Sequence, residues 1–232
     1  MANSFLSACI QLNVGSDLDA NIAQGSELIR QAAALGARFV TTPENTCLMC
    51  KDKAIKRSKS FVEGEHPTLA AYRALAEELS VSLLIGSISS LLPEVGANKL
   101  INRSYLVGPD GKIVAHYDKI HLYDAVLSDR EAYGESAYTF GGERSVLVKT
   151  PMADIGMSIC YDLRFAALYR QLAQAGAQML MIPSAFTVPT GKAHWEVLLR
   201  ARAIETGSFV LAPAQVGEHD TGLQTYGHSM IV

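Results

Sequence analysis

The amino-acid sequence predicts an α/β fold, and two observations support this prediction. Apolar segments of strand length alternate with segments of helical composition along most of the 232 residues, an order typical of helices packed on a β-sheet. In addition, residues 31–43 and 171–183 align in register, with Gln, Ala, Gly, Ala and Pro at the same places. We interpret the two copies as equivalent helix–glycine–strand–proline units of a pseudo-symmetric fold, with chance similarity between two ordinary connections as the alternative. Glu44 and Ser184 then stand at equivalent strand ends.

In the first half of the chain, the ends of the elements carry clear signals. Asp17 or Asp19 suits the N-cap of a helix with one apolar face, and Gly36 suits its end. The predicted elements are a strand over residues 5–12, a helix over 17–34, a strand over 38–42, a surface excursion over 51–65, a helix over 68–79 and a strand over 81–90.

The second half begins with a predicted β-hairpin, because Asp110-Gly111 is a strong turn signal between apolar segments 100–107 and 113–117. Residues 123–142 are predicted to be a long irregular segment, and loops of that length are usually functional. The remaining predicted elements are strands over 145–149 and 155–159, a helix over 165–175, a strand over 178–182, a helix over 194–206 and a strand over 209–214.

The composition excludes several classes of protein. Hydrophobic residues make up 49% of the chain and charged residues 19%, which suits a sizeable core. A net charge of −3 without a basic block argues against a nucleic-acid partner. No apolar run is long enough to span a membrane, and residues 1–10 resemble a first strand more than a signal peptide. The 4 cysteines are too few for a disulfide scaffold, so we expect a cytoplasmic location.

Cys160 stands where an apolar, strand-like segment gives way to a segment of helical composition. At such a junction the backbone N–H groups and the dipole of the following helix favour a thiolate. We therefore predict that Cys160 is a nucleophile. The alternative is a buried cysteine that acts only as a small hydrophobe.

Three charged residues are predicted to accompany Cys160. Glu44 follows a buried strand, where side chains point into the ligand crevice of α/β folds and a carboxyl group is suited to proton transfer. Lys119 ends a strand, and an ammonium group there can lower the pKa of a thiol and stabilise an oxyanion. Glu135, inside the long segment, can hold the charge of Lys119. Taken alone, each of these residues is more simply interpreted as a surface or capping residue.

Further motifs surround these residues in a definite order along the chain. They are Thr42-Pro43-Glu44-Asn45, Asp118-Lys119-Ile120-His121-Leu122, Glu135-Ser136, Cys160-Tyr161-Asp162-Leu163-Arg164-Phe165, Pro183-Ser184-Ala185-Phe186, His194-Trp195, residues 200–205 and Tyr226-Gly227-His228-Ser229. Over essentially the whole chain these motifs resemble the nitrilase superfamily of carbon–nitrogen hydrolases. The resemblance implies a four-layer αββα sandwich that forms a homodimer or higher homo-oligomer. It also implies that residues 1–232 are a single domain from which a C-terminal strand and tail are missing.

The resemblance also implies the catalytic roles. Cys160 would be the nucleophile, Glu44 the general base and acid, and Glu135 a supporting residue. Lys119 and the backbone N–H of Tyr161 would stabilise the oxyanion. The resemblance implies no cofactor and no metal.

Three further residues are candidates for binding the substrate. Arg164, shortly after Cys160, can bind a substrate carboxylate bidentately, although an intramolecular pair with a nearby acidic residue is an equal alternative. Residues 184–191 follow the strand of the second repeat and would form the opposite wall. There Phe186 can pack on the carbon chain of the substrate, and Thr190 can hydrogen-bond it.

The chain looks most similar to the branch of the superfamily that acts on deaminated glutathione and on ω-amides. This resemblance implies hydrolysis of a linear amide through an acyl-thioester, with deaminated glutathione giving 2-oxoglutarate and Cys-Gly. One alternative is an ω-amidase that acts on 2-oxoglutaramate or another small ω-amide. A second alternative is a catalytically impaired member that serves as a binding module.

Two other kinds of site compete with this prediction. A Cys–His hydrolase needs a histidine base, and the 6 histidines include none whose position compels that role. A zinc site is the other, but Cys47 and Cys50 form a single Cys-x-x-Cys pair, which supplies too few ligands.

Overall fold

The computed structural model describes residues 4–92, 99–128 and 131–232. The strands of these residues are, in chain order, β1 (Leu6–Cys9), β2 (Ala37–Thr41), β3 (Ser82–Leu91), β4 (Leu100–Val107), β5 (Ile113–Asp118), β6 (Asp124–Ser128), β7 (Glu131–Gly134), β8 (Thr139–Phe140), β9 (Val146–Lys149), β10 (Asp154–Met157), β11 (Met179–Met181), β12 (Phe209–Ala212), β13 (Val216–Glu218), β14 (Gln224–Tyr226) and β15 (Met230–Ile231). The α-helices are α1 (Leu18–Ala34), α2 (Lys53–Ser58), α3 (Pro67–Leu79), α4 (Ala166–Gln174) and α5 (Val188–Thr206). Short 3-10 turns cover Glu63–Glu65, Glu135–Ala137 and Cys160–Arg164.

Two β-sheets form the centre of the molecule. The first has the strand order β1-β2-β3-β4-β5, and β8 also pairs with β4. Its strands β1, β2 and β3 are parallel, whereas β3, β4 and β5 are antiparallel. The second sheet has the order β15-β12-β11-β10-β9, with β10, β11 and β12 parallel. Two separate ribbons, β6–β7 and β13–β14, complete the strands of the described residues.

The helices cover the outer faces of the two sheets. Helices α1 and α3 pack on the first sheet, and α4 and α5 pack on the second. Because side chains alternate along a strand, Leu83 and Ile85 of β3 join the apolar cluster under α1 and α3, while Leu84 joins the other cluster. In β10, Gly156 faces Leu172 of α4, so Ile155 on the opposite face points towards the first sheet. The layers therefore follow the αββα order that the resemblance implied. Among the described helices, none is both long and apolar enough to cross a membrane.

The two repeated units of the sequence adopt the same local structure. Gly36 and Gly176 end α1 and α4 with φ angles of +94° and +106°, which favour glycine. Each of these glycines donates its N–H to a carbonyl in the last turn of its helix, Ala33 and Ala173 respectively. The strands that follow, β2 and β11, are both flanked by parallel neighbours. The pseudo-symmetry predicted from the repeat is therefore confirmed.

The structure corrects the predicted elements in three places. Residues 123–142 are not irregular throughout, because they contain the β6–β7 ribbon, a 3-10 turn and β8; residues 129–130 of this segment lie outside the described residues. Helix α5 begins at Val188 rather than at 194, since Pro189 fits the first turn of a helix. The excursion over 51–65 contains α2, which the Asp52 side chain caps by accepting the N–H groups of Ala54 and Ile55.

Candidate active site

Three buried charged side chains lie at the centre of the site. Glu44 follows β2, Lys119 follows β5 directly, and Glu135 opens the 3-10 turn after β7. The Lys119 Nζ lies 2.8 Å from Glu44 Oε1 and 2.9 Å from Glu135 Oε2. The ammonium group therefore bridges the two carboxylates, and the lysine is only 2% exposed. The structure thus brings together three of the residues that the sequence singled out.

Asn102, which the sequence analysis missed, joins the same cluster from β4. Its amide nitrogen donates to Glu44 Oε1 at 2.9 Å and to Glu135 Oε1 at 3.2 Å. Its backbone carbonyl accepts the N–H of Lys119 at 3.0 Å. A signal for this role exists, because asparagine is depleted in strands and Asn102 begins the polar triplet Asn102-Arg103-Ser104 within β4.

The neighbours of Lys119 and Glu135 decide the charge state of both groups. Burial disfavours the ammonium of Lys119, but the Glu135 and Glu44 carboxylates outweigh it and raise the pKa of Lys119 well above its usual value. Burial likewise acts to raise the pKa of Glu135. The charge of Lys119 and the N–H of Tyr123 outweigh that effect, so the net change in the pKa of Glu135 is downward. Lys119 and Glu135 are thus held as a charged pair.

Glu44 is also held by the second half of the molecule. Its Oε2 accepts the N–H of Ala185 at 3.0 Å, just beyond the strand end of the second repeat. Its backbone carbonyl accepts the side-chain amide of Gln215 at 3.1 Å. The two repeats therefore meet at the site, where one supplies the carboxylate and the other supplies a donor that orients it.

Cys160 begins a 3-10 turn rather than an α-helix, since α4 begins only at Ala166. Its backbone has φ +50°, a left-handed conformation that is uncommon outside glycine, and its N–H bonds the carbonyl of Pro183 at 2.9 Å. Burial raises the pKa of the Cys160 thiol well above its usual value, and the adjacent Glu44 carboxylate adds to this effect. The predicted helix N-terminus at Cys160 is therefore wrong, because α4 begins only at Ala166, and burial beside a carboxylate acts against a thiolate.

The buried carboxylate of Asp162 ties the turn that carries Cys160 to the segment that carries Lys119. Asp162 Oδ2 accepts the N–H of Ile159 and the hydroxyl of Tyr117, both at 2.8 Å. Its Oδ1 accepts the N–H of His121 at 3.0 Å and lies 2.7 Å from the His121 ring nitrogen Nδ1. Tyr117 and His121 flank Lys119 in the sequence, so one carboxylate positions both parts of the site.

A cavity of about 510 Å³ opens onto this cluster. Its lining includes the four catalytic candidates, and Tyr161, Arg164, Phe186 and Thr190 also line it. The Tyr161 ring packs between Tyr123 and Phe165, at centroid distances of 5.0 Å and 5.5 Å. Arg164, Phe186 and Thr190, the three candidates for substrate binding, therefore all line the same cavity.

Arg164 ends the 3-10 turn and does not lie in the first turn of the following helix. Its guanidinium lies over the rings of Tyr161 and Phe186, at 5.6 Å and 5.4 Å. Its hydrogen-bond neighbour is the His194 ring nitrogen Nδ1 at 3.2 Å. Within the described residues it makes no ion pair with a carboxylate. The alternative of an intramolecular acidic pair for Arg164 therefore loses its support.

The hydroxyl of Thr190 already has partners inside the protein. It lies 2.8 Å from the hydroxyl of Thr187 and 3.3 Å from the carbonyl of the same residue. Phe186, next to it, packs against Trp195 with a centroid distance of 4.9 Å. The Thr190 hydroxyl is therefore engaged within the protein rather than directed at a substrate.

The competing sites find little support. None of the histidines in the described residues lines the cavity, and His121 is engaged with Asp162 instead. Of the Cys-x-x-Cys pair, Cys47 is buried, while Cys50 points its sulfur at the carbonyl of Asp52. Within the described ranges, no group of His, Cys, Asp or Glu side chains is placed to hold a metal ion.

Comparisons with known proteins agree with this geometry. The family model for carbon-nitrogen hydrolases matches residues 6–232. A deaminated glutathione amidase of Synechocystis is 37% identical over 98% of this chain and 84% of its own length. The human omega-amidase NIT2 is 35% identical over 99% of this chain and 81% of its own length. The crystal structure of the C. elegans NitFhit protein matches with a TM-score of 0.88 at 34% identity, and covers 97% of this chain and 54% of that one.

The αββα sandwich, with a thiol, an ammonium group and two carboxylates in one cavity, defines a hydrolase of the nitrilase type. The chain belongs to the carbon-nitrogen hydrolase family, because the family model covers nearly all of it. The predictions of the superfamily, of the fold and of a carbon–nitrogen hydrolase enzyme are therefore confirmed.

Proposed function

We propose that the protein is a cysteine-dependent amidase that hydrolyses deaminated glutathione to 2-oxoglutarate and Cys-Gly. The observation that carries this proposal is the position of Lys119, which bridges Glu44 and Glu135 in the cavity that also holds Cys160. The relatives named as deaminated glutathione amidases support the choice of substrate.

In the first proposed step, Glu44 takes the proton of the Cys160 thiol as the sulfur attacks the amide carbonyl. A base is required because the pKa of this thiol is raised by burial and by Glu44 itself. As the carbon–sulfur bond forms, the carbonyl oxygen gains negative charge. The Lys119 ammonium and the backbone N–H of Tyr161 stabilise that charge, while Glu135 and Asn102 keep Lys119 and Glu44 in place.

In the second step, Glu44 gives its proton to the leaving nitrogen, and the carbon–nitrogen bond breaks. The amine departs and the acyl group remains on the sulfur as a thioester. A water molecule then attacks the thioester and gives a proton to Glu44. The acid leaves, and the proton returns to the Cys160 sulfur. One carboxylate therefore alternates between base and acid.

A second candidate substrate is 2-oxoglutaramate, which the similarity to the human omega-amidase favours. It has the same acyl group as deaminated glutathione, but its leaving group is ammonia. The same nucleophile and base would serve both reactions. Only the part of the cavity that receives the leaving group distinguishes them.

The test measures turnover of both substrates by the purified protein and by the Cys160→Ala variant. We expect a higher kcat/KM for deaminated glutathione, and no turnover by the variant although its circular dichroism is unchanged. Acid quenching followed by mass spectrometry should locate an acyl adduct on Cys160. A preference for 2-oxoglutaramate would make the protein an ω-amidase. Failure to turn over either substrate or to form the adduct would instead favour an inert binding module.

The proposal includes a cytoplasmic homo-oligomer. Val197 and Ile204, two turns apart on α5, are 62% and 80% exposed and share one face of the helix. All four cysteines are free thiols, which agrees with a reducing compartment. Light scattering should give the mass of a dimer or larger assembly for the wild type and a smaller mass for Ile204→Glu. A monomeric wild type would contradict this part of the proposal.

A further inference from the structure

Lys56 is a half-buried cation on the wall of the cavity, and no step of the proposed mechanism uses it. The exposed Lys51 and Lys53 also line the cavity. The residue lies in α2 and lines the cavity together with Glu44 and Arg164. Its Nζ is 3.5 Å from Asn45 Oδ1 and 5.6 Å from the ring centroid of Tyr138. Within the described parts of the chain, no carboxylate lies within ion-pair distance of it.

The lack of a counterion sets Lys56 apart from the fully buried cations. In the described residues those cations each pair with a carboxylate: Lys119 with Glu44 and Glu135, Arg103 with Asp118, and Arg202 with Glu205. Lys56 is half-buried, and burial lowers its pKa even though Glu135 and Glu44 act in the opposite direction. A shielded ammonium group without a counterion is unfavourable, and an anion in the cavity would relieve this.

Lys56 and Arg164 mark two different places on the cavity wall. Arg164 lies against Tyr161, Phe186 and His194, whereas the contacts of Lys56 are with other residues, Asn45 and Tyr138. Arg164 and Lys56 therefore offer negative charge two separate positions in the cavity. Deaminated glutathione carries two carboxylates, one on the 2-oxoacyl group and one on glycine. The ω-amide 2-oxoglutaramate has only the first.

The position of Glu44 decides which carboxylate belongs to which cation. In the proposed mechanism Glu44 protonates the leaving nitrogen, so the leaving amine lies on the Glu44 side of the cavity. Lys56 contacts Asn45, the residue next to Glu44. Arg164 lies instead beside Phe186, the candidate for packing on the acyl carbon chain.

We infer that Lys56 binds the carboxylate of the leaving amine and selects amides whose leaving group carries a negative charge. This inference rests on the proposed function and deepens it, because it explains how one cavity would prefer a dipeptide-like leaving group to ammonia. Arg164 then serves the acyl carboxylate that both candidate substrates share.

The experiment compares kcat/KM for deaminated glutathione, for its glycine methyl ester and for 2-oxoglutaramate. For Lys56→Met we expect a loss of roughly tenfold or more with deaminated glutathione, mainly through KM, as for a lost charge-assisted hydrogen bond. The same variant should change turnover of the other two substrates by less than about twofold, since neither offers a leaving-group carboxylate. Lys56→Arg should keep most of the activity. The control Lys112→Met removes an exposed lysine paired with Asp110 and should change nothing.

The wild type provides a test that does not depend on the folding of a variant. It should lose as much kcat/KM on esterification of the glycine carboxylate as Lys56→Met loses with the free acid. An equal loss by Lys56→Met with all three substrates, or no loss with any, would overturn the inference while the proposed function stands. If the wild type turned over none of the three, the proposed function itself would fail and the inference with it.

Discussion

Two regions of the cavity hold their charged groups in different ways. The buried cluster consists of Glu44, Asn102, Lys119 and Glu135, joined by hydrogen bonds of 2.8 to 3.2 Å. The half-buried wall carries Lys56 and Arg164, whose neighbours are aromatic rings, one amide oxygen and one imidazole. In the cluster, the Lys119 ammonium pairs with carboxylates of the protein itself. On the wall, Lys56 and Arg164 have no carboxylate partner among the described residues.

This difference separates the proposed chemistry from the proposed choice of substrate. Groups that are fixed before the substrate arrives need no reorganisation when charge develops in the transition state. Cations without a partner can instead exchange water for a substrate anion. Substitutions in the buried cluster should therefore act on kcat and on stability, and substitutions on the half-buried wall should act on KM and on specificity.

The largest effect is expected from Lys119→Met. The variant leaves Glu44 and Glu135 buried near each other without their shared cation, which should lower the free energy of unfolding by about 3–5 kcal/mol. The loss of the oxyanion partner should lower kcat by roughly a hundredfold or more. Denaturant unfolding and steady-state kinetics measure the two effects. Lys112→Met, at a surface pair in which the lysine is 78% exposed, is the matched control. A variant with wild-type stability would show that the bridge does not hold the site together.

The stability difference between the wild type and Lys119→Met should also depend on pH, and the direction of the change follows from the pKa shifts. The pKa of Lys119 is raised in the folded state, so its contribution to stability is complete below about pH 10, near the unfolded pKa, and is lost at higher pH. The pKa of Glu135 is lowered, so its contribution is complete above about pH 5 and is lost as the pH falls through the folded pKa. The difference in unfolding free energy between wild type and Lys119→Met should thus be flat between these limits and shrink outside them. A difference that grows with acid or alkali would contradict this assignment of charge.

Asp162→Asn should have the next largest effect, although Asp162 is not expected to touch the substrate. The substitution keeps the shape but leaves one acceptor oxygen for the donors of Ile159, Tyr117 and His121. The turn that carries Cys160 should then shift against Lys119, and we expect kcat to fall roughly tenfold to a hundredfold with little change in KM. Asp110→Asn, at an exposed turn, is the control. A rise in KM at constant kcat would show that Asp162 does not position the nucleophile.

Arg164→Met is expected to change KM rather than kcat. Loss of the guanidinium should raise KM roughly tenfold or more for deaminated glutathione and for 2-oxoglutaramate alike, because both share the acyl carboxylate. Arg164→Lys should recover part of the loss, since lysine supplies the charge without the bidentate geometry. The contrast with Lys56→Met, which should affect one substrate only, separates the two cations of the wall. An unchanged KM with both substrates would remove Arg164 from the binding site.

The residues that the sequence singled out share a simple property. Glu44, Lys119 and Cys160 each come just after a strand, and side chains at such strand ends lie at one edge of an α/β fold. The strand ends suggested each residue separately, and the family resemblance joined them into one site. The repeat added the equivalence of the two strand ends after Pro43 and Pro183, which the structure shows meeting through Ala185 and Glu44.

The residues that were missed depend on information that periodicity does not contain. Asn102 reaches the cluster from within β4, and this requires knowing which strand lies between β3 and β5. Lys56 lies in a polar segment predicted as a surface excursion, and only the tertiary structure shows that this segment borders the cavity. The protonation of Cys160 depends on burial and on the distance to Glu44. A local sequence pattern cannot report either burial or this distance.

The smallest effects concern the reactivity of Cys160, which reports on the balance of charge in the buried cluster. Because the pKa of the thiol is raised, labelling by iodoacetamide should still increase with pH above about 9, the usual value for cysteine. Glu44 raises this pKa and Lys119 lowers it, so Glu44→Gln should move the profile to lower pH and Lys119→Met should move it to higher pH.

Mass spectrometry resolves Cys160 from Cys50, which lines the same cavity and serves as the internal reference. If wild-type labelling instead levels off below about pH 8, Cys160 is a thiolate near neutral pH, as the sequence alone predicted. Shifts of equal sign in the two variants would show that burial, rather than the opposed charges of the cluster, governs the nucleophile.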